Sequence, residues 1–154
     1  MYPNPLRMKL YRPLLGRTMI TRPRLLKIFG ASLDGRVTLV SAPAGFGKST
    51  LVSQWLDTLA ASSPEHTAEG SPKAAWLSLD ETDNRLPQFL FSAAAAIECV
   101  HPQSCRAVDG LLREQTSPSV ETVTDALING LAALPGRLLL VLDDLHFVDD
   151  PAIF

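Results

Sequence analysis

Cysteine is almost missing from this chain: only Cys99 and Cys105 occur in 154 residues. A bridge between them would close a very short loop, so both are expected as reduced thiols of a cytosolic protein. Two cysteines also lack the spacing of a metal site. No long apolar run occurs either. Leu138–Leu142 falls far short of the roughly 18 residues that span a membrane. No continuous apolar stretch follows the basic N-terminal residues, so no secretory signal is expected. Aromatic residues make up 6% of the chain and do not interleave with basic ones, which argues against base stacking. No internal repeat is present.

What is there is an ordinary globular composition, 46% hydrophobic and 19% charged, enough to bury a core. Net charge is only −2, but it is unevenly spread. Residues 1–36 carry eight basic residues, including Arg7, Lys9, Arg12 and Arg22, against the single acid Asp34. Such an arm can contact nucleic acid or remain a solvated tail. Residues 1–21 are Pro-rich and aperiodic and are expected to be a loose basic tail, with an incomplete nucleotide-binding domain over residues 22–154.

Pro23 can open a short helix with Leu25, Leu26, Phe29 and Leu33 on one face. Arg36–Ser41 (RVTLVS) reads as a buried strand. A helix over Lys48–Ala61 follows, with Leu51, Val52, Trp55, Leu56 and Leu59 at helical spacing. Residues 62–73 form a polar loop. Ala74–Leu79 reads as a strand, and Pro87–Val100 as a helix rich in alanine. Residues 103–116 suggest a shorter helix and a loop. Ser117-Pro118 should cap the next helix, whose apolar face is Val120, Val123, Leu127, Leu131 and Leu134. Leu138–Leu142 is a wholly apolar strand. Strands alternating with helices imply an α/β fold, a parallel sheet flanked by helices.

Between the first strand and its helix stands A-P-A-G-F-G-K-S, Ala42–Ser49. It fits the phosphate-loop pattern G-x-x-x-x-G-K-[ST], or Walker A, except that Ala42 replaces the first glycine. Backbone N–H groups must turn inward around phosphate oxygens, so the side chains must be small. Gly45 and Gly47 allow this. Ala42, Pro43, Ala44 and Phe46 complete the loop, which feeds a helix N-terminus where an anion is favoured. Lys48 offers a point charge to the β- and γ-phosphates, Ser49 a hydroxyl to Mg²⁺, and Thr50 a contact to the α-phosphate. The expected ligands are ATP and Mg²⁺.

A magnesium-binding phosphate loop needs a carboxylate at the end of a neighbouring apolar strand, the Walker B position. LLLVLDD supplies Asp143 as the Mg²⁺ partner and Asp144 as the residue that orients or deprotonates the attacking water. His146 reads as structural, as a partner orienting these acids, or as a phosphate sensor. Asp149 and Asp150 read as a solvated turn. Asp80 and Asp83 lie at another strand's carboxyl edge, where ligands gather, and either have no functional role or touch nucleotide or a partner segment.

Four segments carry a family resemblance: Arg22–Leu26, Ser41–Trp55, Ala75–Asn84 (AWLSLDETDN) and Leu138–Asp150 (LLLVLDDLHFVDD). In this order the chain resembles the large MalT-like ATP-binding regulators of the LuxR family, members of the signal-transducing ATPases with numerous domains (STAND). WLSLDETDN and DDLH are the more specific segments. The resemblance spans residues 22–150. It implies a P-loop NTPase acting as an ATP/ADP-dependent switch that self-associates, with Lys48, Ser49, Asp143 and Asp144 at the family's phosphate, magnesium and paired-acid positions. In that family DNA is bound through a C-terminal helix-turn-helix, and no matching residues stand in this sequence. Ending soon after the Walker B strand, the chain is expected to be a truncated product. The competing readings are a non-catalytic interaction or DNA-associated fragment, resting on the basic arm, and a remnant that does not fold. No arginine finger or purine pocket is recognisable, so any hydrolysis should be slow.

Overall fold

The computed structural model describes residues 7–14, 16, 20–31, 33, 35–61, 72–113 and 118–154. The chain divides into two compact units, one made of residues 1–11 and 72–154, the other of residues 12–71.

The first unit is built on two parallel strands, β1 (Lys73–Ser78) and β2 (Leu138–Asp143), in a register that runs from Lys73 opposite Leu138 to Ser78 opposite Asp143. Parallel neighbours need a long crossover. Here it contains three helices: α3 (Leu86–Val100), α4 (Arg106–Arg113) and α5 (Val120–Ala132). The helix α3 packs on β1, α4 and α5. Its alanines allow close approach, and Phe91, Ala94, Ala96 and Ile97 are all buried. They join Ala75, Leu77 and Leu79 from β1, Val108 from α4, and Val123 and Leu127 from α5 in one core. Burying a side chain of this size contributes about 1.5–3 kcal/mol. On the expected face of α5, Val123 and Leu127 are buried but Leu131 is exposed.

The cap of α5 is Ser119, whose Oγ accepts from the Thr122 amide at 3.2 Å. The sequence pattern points to Ser117, which lies outside the described residues. Pro118 therefore precedes the cap rather than following it. Residues 7–10 are not a loose tail. They form a 3-10 turn, Leu10 packs against the core, and Lys9 enters an ion pair described below. Cys99 and Cys105 are free thiols, the second buried. Among the described residues no helix is long and apolar enough to cross a membrane.

The second unit holds α1 (Pro23–Ala31) and α2 (Lys48–Ala61). Pro23 occupies the first turn of α1, where its missing N–H costs nothing. Phe29 of α1 meets Trp55 of α2 with ring centroids 5.1 Å apart. Leu51 and Leu56 are buried in the same unit. Arg12 ties its segment to α2, donating to the Ser53 carbonyl at 3.2 Å and pairing with Asp57 Oδ1 at 2.6 Å. Leu33 lies beyond the end of α1 and not on its face.

The expected strand over residues 36–41 is not formed: this segment has no regular structure, and Val37 and Leu39 are 88% and 77% exposed. A strand exists only through ladder hydrogen bonds to a neighbour. Its apolar, β-branched composition alone does not create one. Of the polar loop expected over residues 62–73, residues 62–71 lie outside the described residues, and Lys73 is instead the first residue of β1.

Candidate functional site

The phosphate-loop residues lie together in the second unit. Gly45 and Gly47 have φ of +80° and +78°, the left-handed region open to glycine at little cost. A Cβ at Gly45 would meet nothing within 4 Å, so conformation rather than space selects glycine there. Ala42 is not among the positive-φ residues, which explains how alanine replaces the usual first glycine. Phe46 N–H donates to the Pro43 carbonyl at 3.4 Å and tightens the turn. The loop runs directly into α2, with Lys48, Ser49 and Thr50 half-buried in its first turn. Leu51 N–H closes that turn on the Gly47 carbonyl at 2.9 Å.

The Lys48 ammonium folds back over the loop, donating to the Ala42 carbonyl at 2.9 Å and the Pro43 carbonyl at 3.2 Å. Arg22 donates to the Phe46 carbonyl at 3.2 Å, adding a second cation to the loop's surroundings. Two cations, a helix N-terminus and two left-handed glycines make an anion-binding environment.

The acidic residues lie together in the first unit, at the carboxyl ends of both strands. The Asp143 carbonyl accepts from Leu79 N–H at 3.0 Å, extending the ladder to the last residue of β2. Asp143 Oδ1 accepts from Asp144 N–H at 3.1 Å. Asp144 is left-handed, with φ +57° and ψ +38°. A single residue in this region is uncommon, and Asp tolerates it better than most. A 3-10 turn over Leu145–Phe147 follows, and Val148 drops into the core. His146 is exposed, its Nδ1 3.9 Å from Asp144 Oδ1, and its ring stacks on Phe147 at 4.3 Å. Among the described residues no three His, Cys, Asp or Glu side chains gather as a metal cage.

At the end of β1, Asp80 and Asp83 form a reciprocal cap around the turn Glu81–Asp83. Asp80 Oδ1 accepts from Thr82 N–H at 2.9 Å, and Asp83 Oδ2 accepts from Asp80 N–H at 3.0 Å. Asp83 is wholly buried, accepts from Ser92 Oγ at 2.6 Å and pairs with Lys9. Lys9 also reaches Asp80 at 3.0 Å. Burial pushes the Asp80 carboxyl up. The Thr82 hydroxyl and amide together with Lys9 outweigh it and hold the group below its ordinary value of 3.8. Asp83 is therefore a structural anchor rather than a solvated or ligand-facing acid.

Asp149 and Asp150 are not a freely solvated turn either. The Asn84 side chain accepts from both their amides at 2.9 Å and donates to Asp149 Oδ1 at 2.5 Å. Sequence reasoning missed Lys9, Ser92 and Asn84. Only the position of Asn84 at the end of LDETDN could have flagged any of them.

Residues 14–152 match the family model of the AAA ATPase domain. This chain belongs to that family. Among curated proteins, the AAA ATPase domain described here is 36% identical over 146 residues to the HTH-type transcriptional regulator MalT of Cronobacter sakazakii. It is 32% identical to that of Klebsiella pneumoniae and 31% identical to that of Yersinia pestis, each over 145 residues. The match covers 94% of this chain and 15% of each relative, so the domain spans about a sixth of the length of those regulators.

Proposed function

We propose that this AAA ATPase domain is the ATP-binding switch module of a MalT-like LuxR-family transcriptional regulator. The observation that carries the reading is the loop at residues 42–49. Its left-handed glycines feed α2 while the Lys48 ammonium lies over the loop's own carbonyls. Those two carbonyls are neutral partners for an ammonium, whereas a phosphate brings a full opposite charge. A triphosphate therefore draws Lys48 off Ala42 and Pro43. The amides of Ala44–Thr50 and the dipole of α2 hold the rest of the phosphate charge. Ser49 and Asp143 are the proposed magnesium contacts and Asp144 the proposed water-orienting acid. Bound magnesium screens phosphate charge. ADP and ATP exchange at this site, with self-association, constitutes the switch.

The DNA-associated reading loses support because Lys9 and Arg12, two cations of the basic arm, are engaged in internal ion pairs.

Isothermal calorimetry tests the proposal. Losing one charge-assisted contact costs about 1.5–3 kcal/mol, so Lys48→Ala should weaken Mg·ATP binding by about ten- to one-hundred-fold. Equal affinity of the two proteins rejects the site. Hydrolysis should be slow, since an arginine finger is worth about 10³–10⁵ in rate and none is identifiable in the sequence.

A further inference from the structure

We propose that Asn84 is a positioning residue for the acidic loop after β2, fixing Asp143 and Asp144 for magnesium-bound nucleotide. The inference rests on the nucleotide-binding reading above. The loop is pinned at three places. The ladder bond from Leu79 holds the Asp143 carbonyl, Val148 is buried in the core, and Asn84 holds the amides of Asp149 and Asp150. Between the first two anchors the chain has only Asp144 and the turn Leu145–Phe147. Asp144 is held at a positive φ, a conformation that persists when its surroundings over-determine it. The Asn84 bonds are long-range, joining residues 65 and 66 positions apart, and they close the segment that imposes this geometry.

The chemistry of the contact selects asparagine. One atom must accept two N–H groups while its neighbour donates to the Asp149 carboxylate, and a primary amide does both. A carboxylate at this position could accept but not donate, and would face a second carboxylate across a 2.5 Å gap. Asn84 itself stands on a rigid mount. Its N–H donates to Glu81 at 3.3 Å, and the adjoining Asp83 is locked by Ser92 and Lys9. The two sequence segments that best identify the family, LDETDN and DDLHFVDD, are thus stitched together through one side chain.

The experiment compares ATP affinity with Mg²⁺ and with EDTA for the unaltered chain, Asn84→Asp, Asp149→Asn and the double variant. Circular dichroism establishes that each is folded. Asn84→Asp loses the donor and introduces like-charge repulsion. If the loop then spends about a tenth of its time in the competent geometry, apparent Mg·ATP affinity falls roughly tenfold. ATP affinity in EDTA should stay within about twofold, because the phosphate loop is untouched. The double variant restores the contact with its polarity reversed, the asparagine now donating from position 149, and should recover most of the Mg·ATP affinity. Should Asn84→Asp not fold, Asn84→Ser, which avoids the like-charge pair, takes its place. Unchanged Mg·ATP affinity, equal losses with and without Mg²⁺, or no rescue by the double variant overturns the inference while leaving the nucleotide site standing. No ATP binding by the unaltered chain overturns both.

Discussion

Lys9→Met offers a sharp test of the energetics. The Asp83 side chain is fully buried, and its Lys9 partner is 12% exposed. Removing one member of a buried pair strands the other charge, at a cost of about 3–5 kcal/mol. Two partners survive in the variant, Ser92 Oγ at 2.6 Å and Asp80 N–H at 3.0 Å. The lower end, about 3 kcal/mol, is therefore expected. The second contact of Lys9, to Asp80, adds little because Asp80 is 45% exposed. At about 2–4 °C per kcal/mol for a chain of this size, the melting point should drop by about 6–12 °C. Urea unfolding followed by Trp76, which is buried in β1, reads the effect within the first unit. A Trp55→Phe background silences the other tryptophan and keeps the aromatic contact with Phe29. Adding Asp83→Asn to Lys9→Met removes the stranded charge and should recover about 1 kcal/mol or more. A loss below about 1 kcal/mol for Lys9→Met would place the pair among surface ion pairs and refute the anchoring role.

Gly130→Ala sets helix propensity against packing. Alanine in α5 gains about 1 kcal/mol over glycine, but its Cβ would stand 2.3 Å from the Ser104 carbonyl oxygen. Backbone cannot yield as a side chain tip can, and overpacking of this kind costs about 1–3 kcal/mol or more. The variant should therefore melt lower, and an unchanged or raised melting point would contradict the close approach of α5 to the 101–105 turn. His101 should make stability pH-dependent. Burial, and then the nearby Lys73 ammonium, push it below its ordinary value of 6.5. Its buried Nε2 has no hydrogen-bond partner among the described residues. The folded chain thus resists a proton that the unfolded chain accepts, so this contribution is complete above pH 6.5 and is lost as pH falls below it toward the lower folded value. Melting points measured from pH 7.5 down to 5.5 should fall, and His101→Phe should flatten the slope. Equal slopes would assign the dependence to another group.

Much of the architecture was legible from local pattern. The bounds of α2 match the sequence reading, because a 3.6-residue apolar repeat and a glycine-lysine start are local signals. The apolar run Leu138–Leu142 likewise marks β2, which extends one residue further to take in Asp143. The expected strand at residues 36–41 was misleading because a run of β-branched residues records a preference, while the ladder that makes a strand belongs to its neighbour. The cap of α5 was placed two residues early since Ser117 and Ser119 flank Pro118 symmetrically, and only backbone geometry separates them.

The proposed phosphate site is legible in residues 42–50 alone, since small residues, a lysine and a hydroxyl at fixed spacing are a local prescription for cradling an anion. The cap formed by Asp80 and Asp83 is local, but the long-range polar contacts of LDETDN and DDLHFVDD depend on the tertiary fold. Asn84 meets Asp149 across 65 positions because the parallel alignment of β1 and β2 brings their carboxyl ends side by side, and Lys9 meets Asp83 across 74 because the turn Arg7–Leu10 packs on the core beside β1. No spacing rule within a single segment encodes a contact made by the folding of two.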